Sequence, residues 1–342
     1  MSEPIVPFDP ELGILFKSAP PELQKSLTLE TLPPLVAAYS KAPPVEDFIG
    51  SRPLTYQDFK IPGHNGDEIE VTVFHRKDHV VSDKPTQPGF IHYHGGGMMM
   101  GHRLLAAEFL LPWVEQYDGV LACVEYRLAP AHPSPTPVED AYASLVWFTK
   151  QGLKLGFDAE RIMLEGHSAG AGITAGVSLL ARDRGLTPKV KWQLLGAPML
   201  DDRNKTVSSR QFTGEICVWN AVSNQVGWSS LLGHADDPDF RRARDDINIY
   251  SAPARHPDLS GLPITYLEVG SAEVFRDEVV EFASRIWAAG GSADLHVWHG
   301  GFHSFESWAT SRLSQEAMAG RNSWARRQLE WDPVKGAYEK PL

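Results

Sequence analysis

Residues 166–170 read Gly166-His167-Ser168-Ala169-Gly170, and they fall where an apolar run gives way to a helix-compatible one. Before them, Arg161-Ile162-Met163-Leu164-Glu165 suits a short buried strand. After them, residues 171–181 are small and aliphatic and suit a packed helix. A serine between glycines at such a junction predicts a sharp, strained turn that projects its hydroxyl from the end of a sheet. The glycines are needed because a side chain there would collide with the neighbouring strand or helix. The simpler alternative is a glycine-rich turn whose serine caps the helix.

The surrounding pattern supplies that sheet. Strand-like stretches fall at 54–61, 68–75, 89–94, 120–126, 161–165, 191–197, 263–269 and 293–298. Helical ones fall at 138–150, 169–184, 277–289 and 313–329, with shorter pieces at 21–29 and 32–40. Strands separated by helices predict an α/β fold, a mostly parallel central sheet with helices on both faces. Between 201 and 256 the alternation stops, although Phe212, Trp219, Trp228, Leu231, Leu232 and Phe240 lie there. So long a stretch should carry helices of its own, and aromatics argue against a disordered linker. An insertion at the carboxyl end of a parallel sheet lies over the ligand site. The chain therefore divides into an N-terminal cap segment (1–50), a first core part (51–200), a cap or lid insertion (201–256) and a second core part (257–342).

Composition narrows the function. The 342 residues carry a formal net charge of -11, which argues against a nucleic-acid surface or an anionic membrane as partner. Arg182-Asp183-Arg184 and Arg241-Arg242-Ala243-Arg244 have acids within or beside them, so neither is a basic stripe. Two cysteines, Cys123 in an apolar run and Cys217, imply no disulfide framework and fit a reducing, cytoplasmic setting. The first residues lack a basic stretch followed by an apolar one, so no secretion signal is expected, and no apolar run reaches membrane-spanning length.

A serine hydroxyl needs a base to become a nucleophile, and the base needs an orienting acid. The preferred base is His303 in Gly300-Gly301-Phe302-His303-Ser304-Phe305, a loop after the last strand; His296 and His299 compete but flank or lie in that strand. The preferred acid is Glu273, in the loop after the preceding strand. Glu268 lies inside that strand, and Asp277 and Glu278 open a helix, where capping and dipole pairing explain them. Developing negative charge on a substrate oxygen needs donors, and His94-Gly95-Gly96-Gly97 after a strand brings backbone N–H groups close. The N–H groups of this glycine run and that of Ala169, the residue after the nucleophile, are the candidate donors. His92-x-His94 lacks a third ligand of convincing spacing, so no metal is expected.

Together these motifs resemble the hormone-sensitive-lipase-type family of α/β-hydrolases. The matching pieces are His94 to Gly97, Tyr126-Arg127-Leu128-Ala129-Pro130, Val138-Glu139-Asp140-Ala141-Tyr142 and the Ser168 pentapeptide, then Pro198-Met199-Leu200-Asp201-Asp202-Arg203, Gly261-Leu262-Pro263, Arg276-Asp277-Glu278 and the His303 loop. The resemblance implies a Ser168–Glu273–His303 triad, an oxyanion hole from Gly96, Gly97 and Ala169, and Gly95 supporting the turn. It gives His94 and the Tyr126 to Pro130 stretch a loop-shaping role. It also implies no cofactor, a lid from the N-terminal segment and the insertion, and hydrolysis of carboxylic esters, commonly short-chain ones. The same site would suit a lactone, an amide or the acetyl group of a secondary metabolite. A small-molecule receptor on this fold would have lost the histidine, which is present here. Pairing with a second copy through the edge strand 293–298 is also implied. The chain departs from the pattern at His167 (usually aspartate), Ala171 (often glycine) and Glu273 (usually aspartate). Met98-Met99-Met100 is unusual, and reads either as a soft acyl-pocket wall or as core filling.

Overall fold

The computed structural model describes residues 4–214, 218–234, 247–332 and 337–338. Among them, eight strands form one sheet: β1 (Leu54–Pro62), β2 (Glu68–Arg76), β3 (Gly89–Tyr93), β4 (Val120–Glu125), β5 (Ile162–His167), β6 (Trp192–Gly196), β7 (Ile264–Gly270) and β8 (Ala293–Trp298). Their spatial order is β1-β2-β4-β3-β5-β6-β7-β8. β1 and β2 are antiparallel to each other, β2 is antiparallel to β4, and every later pairing is parallel. The helices are α1 (Pro10–Lys17), α2 (Leu32–Tyr39), α3 (Val45–Ile49), α4 (Leu111–Tyr117), α5 (Thr136–Leu155), α6 (Ala169–Asp183), α7 (Val207–Gln211), α8 (Ala221–Leu231), α9 (Arg276–Ala288) and α10 (Arg312–Leu329). None is long and apolar enough to cross a membrane.

The central strands β3 to β7 are mostly apolar on both faces because both faces are covered, as parallel sheets require. Alternate residues enter two separate cores. Ile91, Ala122, Leu164, Leu195 and Leu267 pack with side chains of α5, α6 and α9. Phe90, Leu121, Cys123, Met163, Leu194 and Tyr266 pack on the other side with α4 and α10. Cys123 is thus a buried core thiol.

Several boundaries differ from expectation. The helix expected at 21–29 is a single 3-10 turn, Pro21–Gln24, because Lys25 turns the backbone extended. Helix α5 continues past 150 to Leu155 and stops where Gly156 adopts a left-handed conformation. Helices α1, α3 and α4 carried no sequence expectation; all are eight residues or shorter, too brief to establish a period. The stretch 201–256 does carry helices, α7 and α8, and a turn at Pro253–Arg255. Cys217, Phe240 and Arg241 to Arg244 lie outside the described residues.

Candidate active site

From β3 the chain passes to β4 on one side, while β5 pairs with β3 on the other. The loops leaving the carboxyl ends of β3 and β5 therefore diverge and leave a crevice, the place where open parallel sheets bind ligands. The His94 to Gly97 loop follows β3 and the Ser168 turn follows β5.

Ser168 has φ 56 and ψ -120, a strained conformation for a residue with a side chain. Its side chain makes no cap bond to α6, so the helix-capping alternative does not describe it. The glycines make the turn fit. A Cβ on Gly170 would lie 1.9 Å from the Tyr93 carbonyl oxygen of β3, and one on Gly166 would lie 2.3 Å from the Gly170 carbonyl oxygen.

Three candidate residues meet at the crevice. Ser168 Oγ lies 2.9 Å from His303 Nε2, and His303 Nδ1 lies 2.6 Å from Glu273 Oε2. The other oxygen of Glu273 accepts the Gly270 N–H at 3.0 Å, which fixes the carboxylate against the end of β7. All three residues are buried, Ser168 at 5% exposure. With Nδ1–H donating to the carboxylate, Nε2 is left bare to accept from the serine hydroxyl. The competing groups are employed elsewhere. Glu268 pairs with Arg321 of α10, and His296 stacks on Tyr266 and Trp298. Asp277 and Glu278 do more than face their own helix dipole. Asp277 accepts the Ser208 N–H of α7, and Glu278 accepts the N–H groups of Leu200 and Asp201 after β6. Those segments lie about seventy residues upstream, so local capping logic does not find them.

The glycine loop lies against the serine turn. A Cβ on Gly95 would come 3.5 Å from Ser168 Cβ. Gly96 has φ 113, which favours glycine, and its carbonyl closes the turn by accepting from Met99 and Met100. Among the described residues, the N–H groups of Gly96, Gly97 and Ala169 have no protein acceptor, so they stay available. Behind them, His94 is buried, which brings its pKa down to about 3 and keeps it neutral. Its ring stacks on Tyr126 at 4.3 Å, and the Tyr126 hydroxyl donates to the His94 carbonyl. Arg127 forks onto Asp140, which also accepts the His64 N–H. His92 has both nitrogens engaged, by Glu165 at 2.5 Å and by the Leu105 carbonyl at 2.8 Å.

Among the described residues, Trp219 is the expected lid aromatic that reaches His303. Its ring is centred 6.3 Å from that of His303 and its edge covers Gly97. Phe212 instead packs beside Ala272 in the acid loop. Met99 contributes its terminal methyl beside the Gly97 position, and Met98 packs toward Gly172 of α6.

A polar pair that the sequence did not reveal lies next to Ser168 and His303. His167 Nδ1 is 2.8 Å from Glu306 Oε1, and Nε2 is 2.8 Å from Ser304 Oγ. Burial opposes both charges, but their mutual attraction outweighs it. Glu306 comes down to about 2 and His167 goes up from its ordinary value. Nothing local in sequence links positions 167 and 306.

Against known proteins, residues 90–307 match the family model described as alpha/beta hydrolase fold. Esterase LipI of Mycobacterium tuberculosis is 30% identical over 215 residues, covering 63% of this chain and 64% of that protein. The chain thus spans somewhat under two thirds of that relative's length. Rabbit arylacetamide deacetylase is 28% identical over 299 residues, covering 72% of this chain and 75% of the relative. Among solved structures, bacterial heroin esterase superposes with a TM-score of 0.80 at 32% identity, covering 94% of this chain and 98% of that one. The chain belongs to the α/β-hydrolase family, of the hormone-sensitive-lipase and carboxylesterase type.

Proposed function

We propose that this chain is a serine carboxylesterase whose triad is Ser168, His303 and Glu273. Ser168 Oγ attacks the ester carbonyl carbon while His303 Nε2 takes the hydroxyl proton. The N–H groups of Gly96, Gly97 and Ala169 stabilise the oxygen that becomes negative. When the C–O bond to the alcohol breaks, His303 returns the proton to the leaving oxygen. Water then attacks the acyl-serine with His303 again as base, releasing the acid and restoring Ser168. The observation that carries this reading is the unbroken chain of hydrogen bonds from Ser168 through His303 to Glu273 at the sheet's switch point. The names of the relatives, two of them esterases, support the reaction class.

The substrates we propose are short-chain or small-molecule esters, because Trp219 leaves little depth beside Gly97. The cap is the N-terminal segment with 201–256, which hold each other where Leu27 donates to Ser223 and Asn220 to Ser26. Similarity to a protein named arylacetamide deacetylase favours amide cleavage or deacetylation as the second reading. Edge strand β8 offers a surface for a second copy; a monomeric mass in solution would remove that idea.

The test is hydrolysis of p-nitrophenyl esters from acetate to palmitate by wild type and Ser168→Ala. Activity peaking at short chains and reduced at least about 10⁴-fold in the variant is expected. Undiminished activity in Ser168→Ala would sink the assignment.

A further inference from the structure

His303 has to reach across the sheet to meet Ser168. Its loop leaves β8, and β7 and β6 separate β8 from β5. Three strand spacings make about 14 Å. The loop passes over the end of β7, where Gly301 O lies so near Gly270 that a Cβ there would come within 2.0 Å. The Ser168–His303 bond alone is a weak tether for such a span, because the proton it carries is the one that moves. A second connection stands beside it. His167, adjacent to the nucleophile, bonds Ser304 and Glu306, which flank His303 on the far side of the loop. Gly196 at the end of β6 makes room for this ring, since a Cβ there would lie 2.8 Å from His167 Nδ1. Ser304 takes a left-handed φ of 62, so the backbone on that side of His303 is held in an unfavourable conformation.

We infer that His167 is a positioning residue for the hydrolysis proposed above: through Glu306 and Ser304 it clamps the His303 loop to the nucleophile turn and sets the Ser168–His303 geometry. It touches no reacting atom. Loosening it misplaces the base without altering how substrate binds, so its loss belongs in kcat. The clamp also depends on charge. A buried aspartate at 167 would face the Glu306 carboxylate, and because the nearby Arg321 guanidinium is already engaged by Glu268, the two carboxylates repel.

This inference rests on the esterase reading, so wild type and Ser168→Ala are measured first, by p-nitrophenyl butyrate turnover and by labelling with p-nitrophenyl diethyl phosphate. In the labelling, the Ser168 oxygen–phosphorus bond forms as p-nitrophenolate leaves. If wild type neither turns over nor labels, the catalytic reading fails and the clamp falls with it. If wild type is active, His167→Gln and Glu306→Gln are each expected to lower kcat about ten- to a hundredfold, with KM within about twofold. The double variant should lose no more than the worse single one, because the two residues act as a unit. His167→Asp should be lower still, and Glu306→Gln in that background should recover part of the loss, since an amide can donate to the aspartate. Unchanged kcat in His167→Gln, a loss confined to KM, or additive losses in the double variant would overturn the clamp while leaving the esterase standing. If His167→Gln does not fold, Glu306→Gln and Ser304→Ala decide the matter by the same kcat criterion.

Discussion

At the carboxyl ends of β3 and β5 the molecule meets itself backbone to backbone, whereas over Ser168 it is side chains that close the site. Below, Gly170 sits against the Tyr93 carbonyl and Gly166 against the Gly170 carbonyl, leaving no space for a methyl group. Above, an indole covers Gly97 beside the Met99 methyl, and the same ring borders Gly227 of α8. Backbone cannot step aside, but side chains change rotamer. The lower region therefore tolerates almost no variation, and under the proposed function it would set the chemistry. The upper one can vary in sequence without disturbing the serine turn, and under the same reading it would set which substrates fit.

The sharpest test of this contrast is a pair of glycines. Gly170→Ala forces a Cβ into a carbonyl oxygen and should destabilise by more than about 3 kcal/mol, leaving little folded protein. Gly214→Ala, in the 201–256 stretch, meets nothing within 4 Å among the described residues and should change stability by under about 0.5 kcal/mol. Thermal unfolding of both variants checks this. A well-folded Gly170→Ala would mean that the turn is looser than its contacts indicate.

Next in size is the proposed acid. Glu273 Oε1 accepts the Gly270 N–H, so in Glu273→Gln the amide oxygen keeps that bond and the NH₂ faces His303 Nδ1. Nδ1 must then accept, the ring proton moves to Nε2, and the base can no longer take the serine proton. A fall in kcat of about 10³- to 10⁴-fold is expected. Asp277→Asn, which weakens the bond from the Ser208 N–H and the ion pair with Arg276, should lower Tm by a few degrees and leave kcat within about twofold. The reverse pattern would move the acid to Asp277.

These positions also mark what the sequence could reveal. The serine turn was legible because backbone crowding dictates glycine at fixed spacing, so the demand is written locally. The loops of Glu273 and His303 were legible because a strand end places whatever follows it at one edge of the sheet. The His167–Glu306 pair and the Glu268–Arg321 pair were not, since their partners lie 139 and 53 residues apart. A buried charge finds its counterion through the fold, and single-chain patterning carries no trace of that. Trp219 was expected among the aromatics of the 201–256 stretch, but its approach to His303 was not legible. Helix α8 carries polar residues such as Ser223, Asn224, Ser229 and Ser230 on buried positions, so its periodicity does not tell which face looks down.

Trp219 gives the smallest of the expected effects, and it tests the upper region alone. Its ring lies against Gly97 and is 7% exposed, so removing it opens space beside the proposed oxyanion donors and costs His303 one ring contact, while the Ser168–His303 and His303–Glu273 hydrogen bonds stay in place. Each methylene that a longer acyl chain buries there is worth about 0.8 kcal/mol, close to fourfold in rate. Two or three such groups should raise kcat/KM for p-nitrophenyl octanoate relative to butyrate by about ten- to sixtyfold in Trp219→Ala. Turnover of the acetate should stay within a few fold, because its acyl group is too short to reach the new space. If the chain-length profile does not move, the acyl group lies away from the indole, and the indole covers the alcohol side instead. If acetate turnover collapses as well, Trp219 supports the glycine loop itself, and the division between a fixed lower region and a variable upper one fails at that residue.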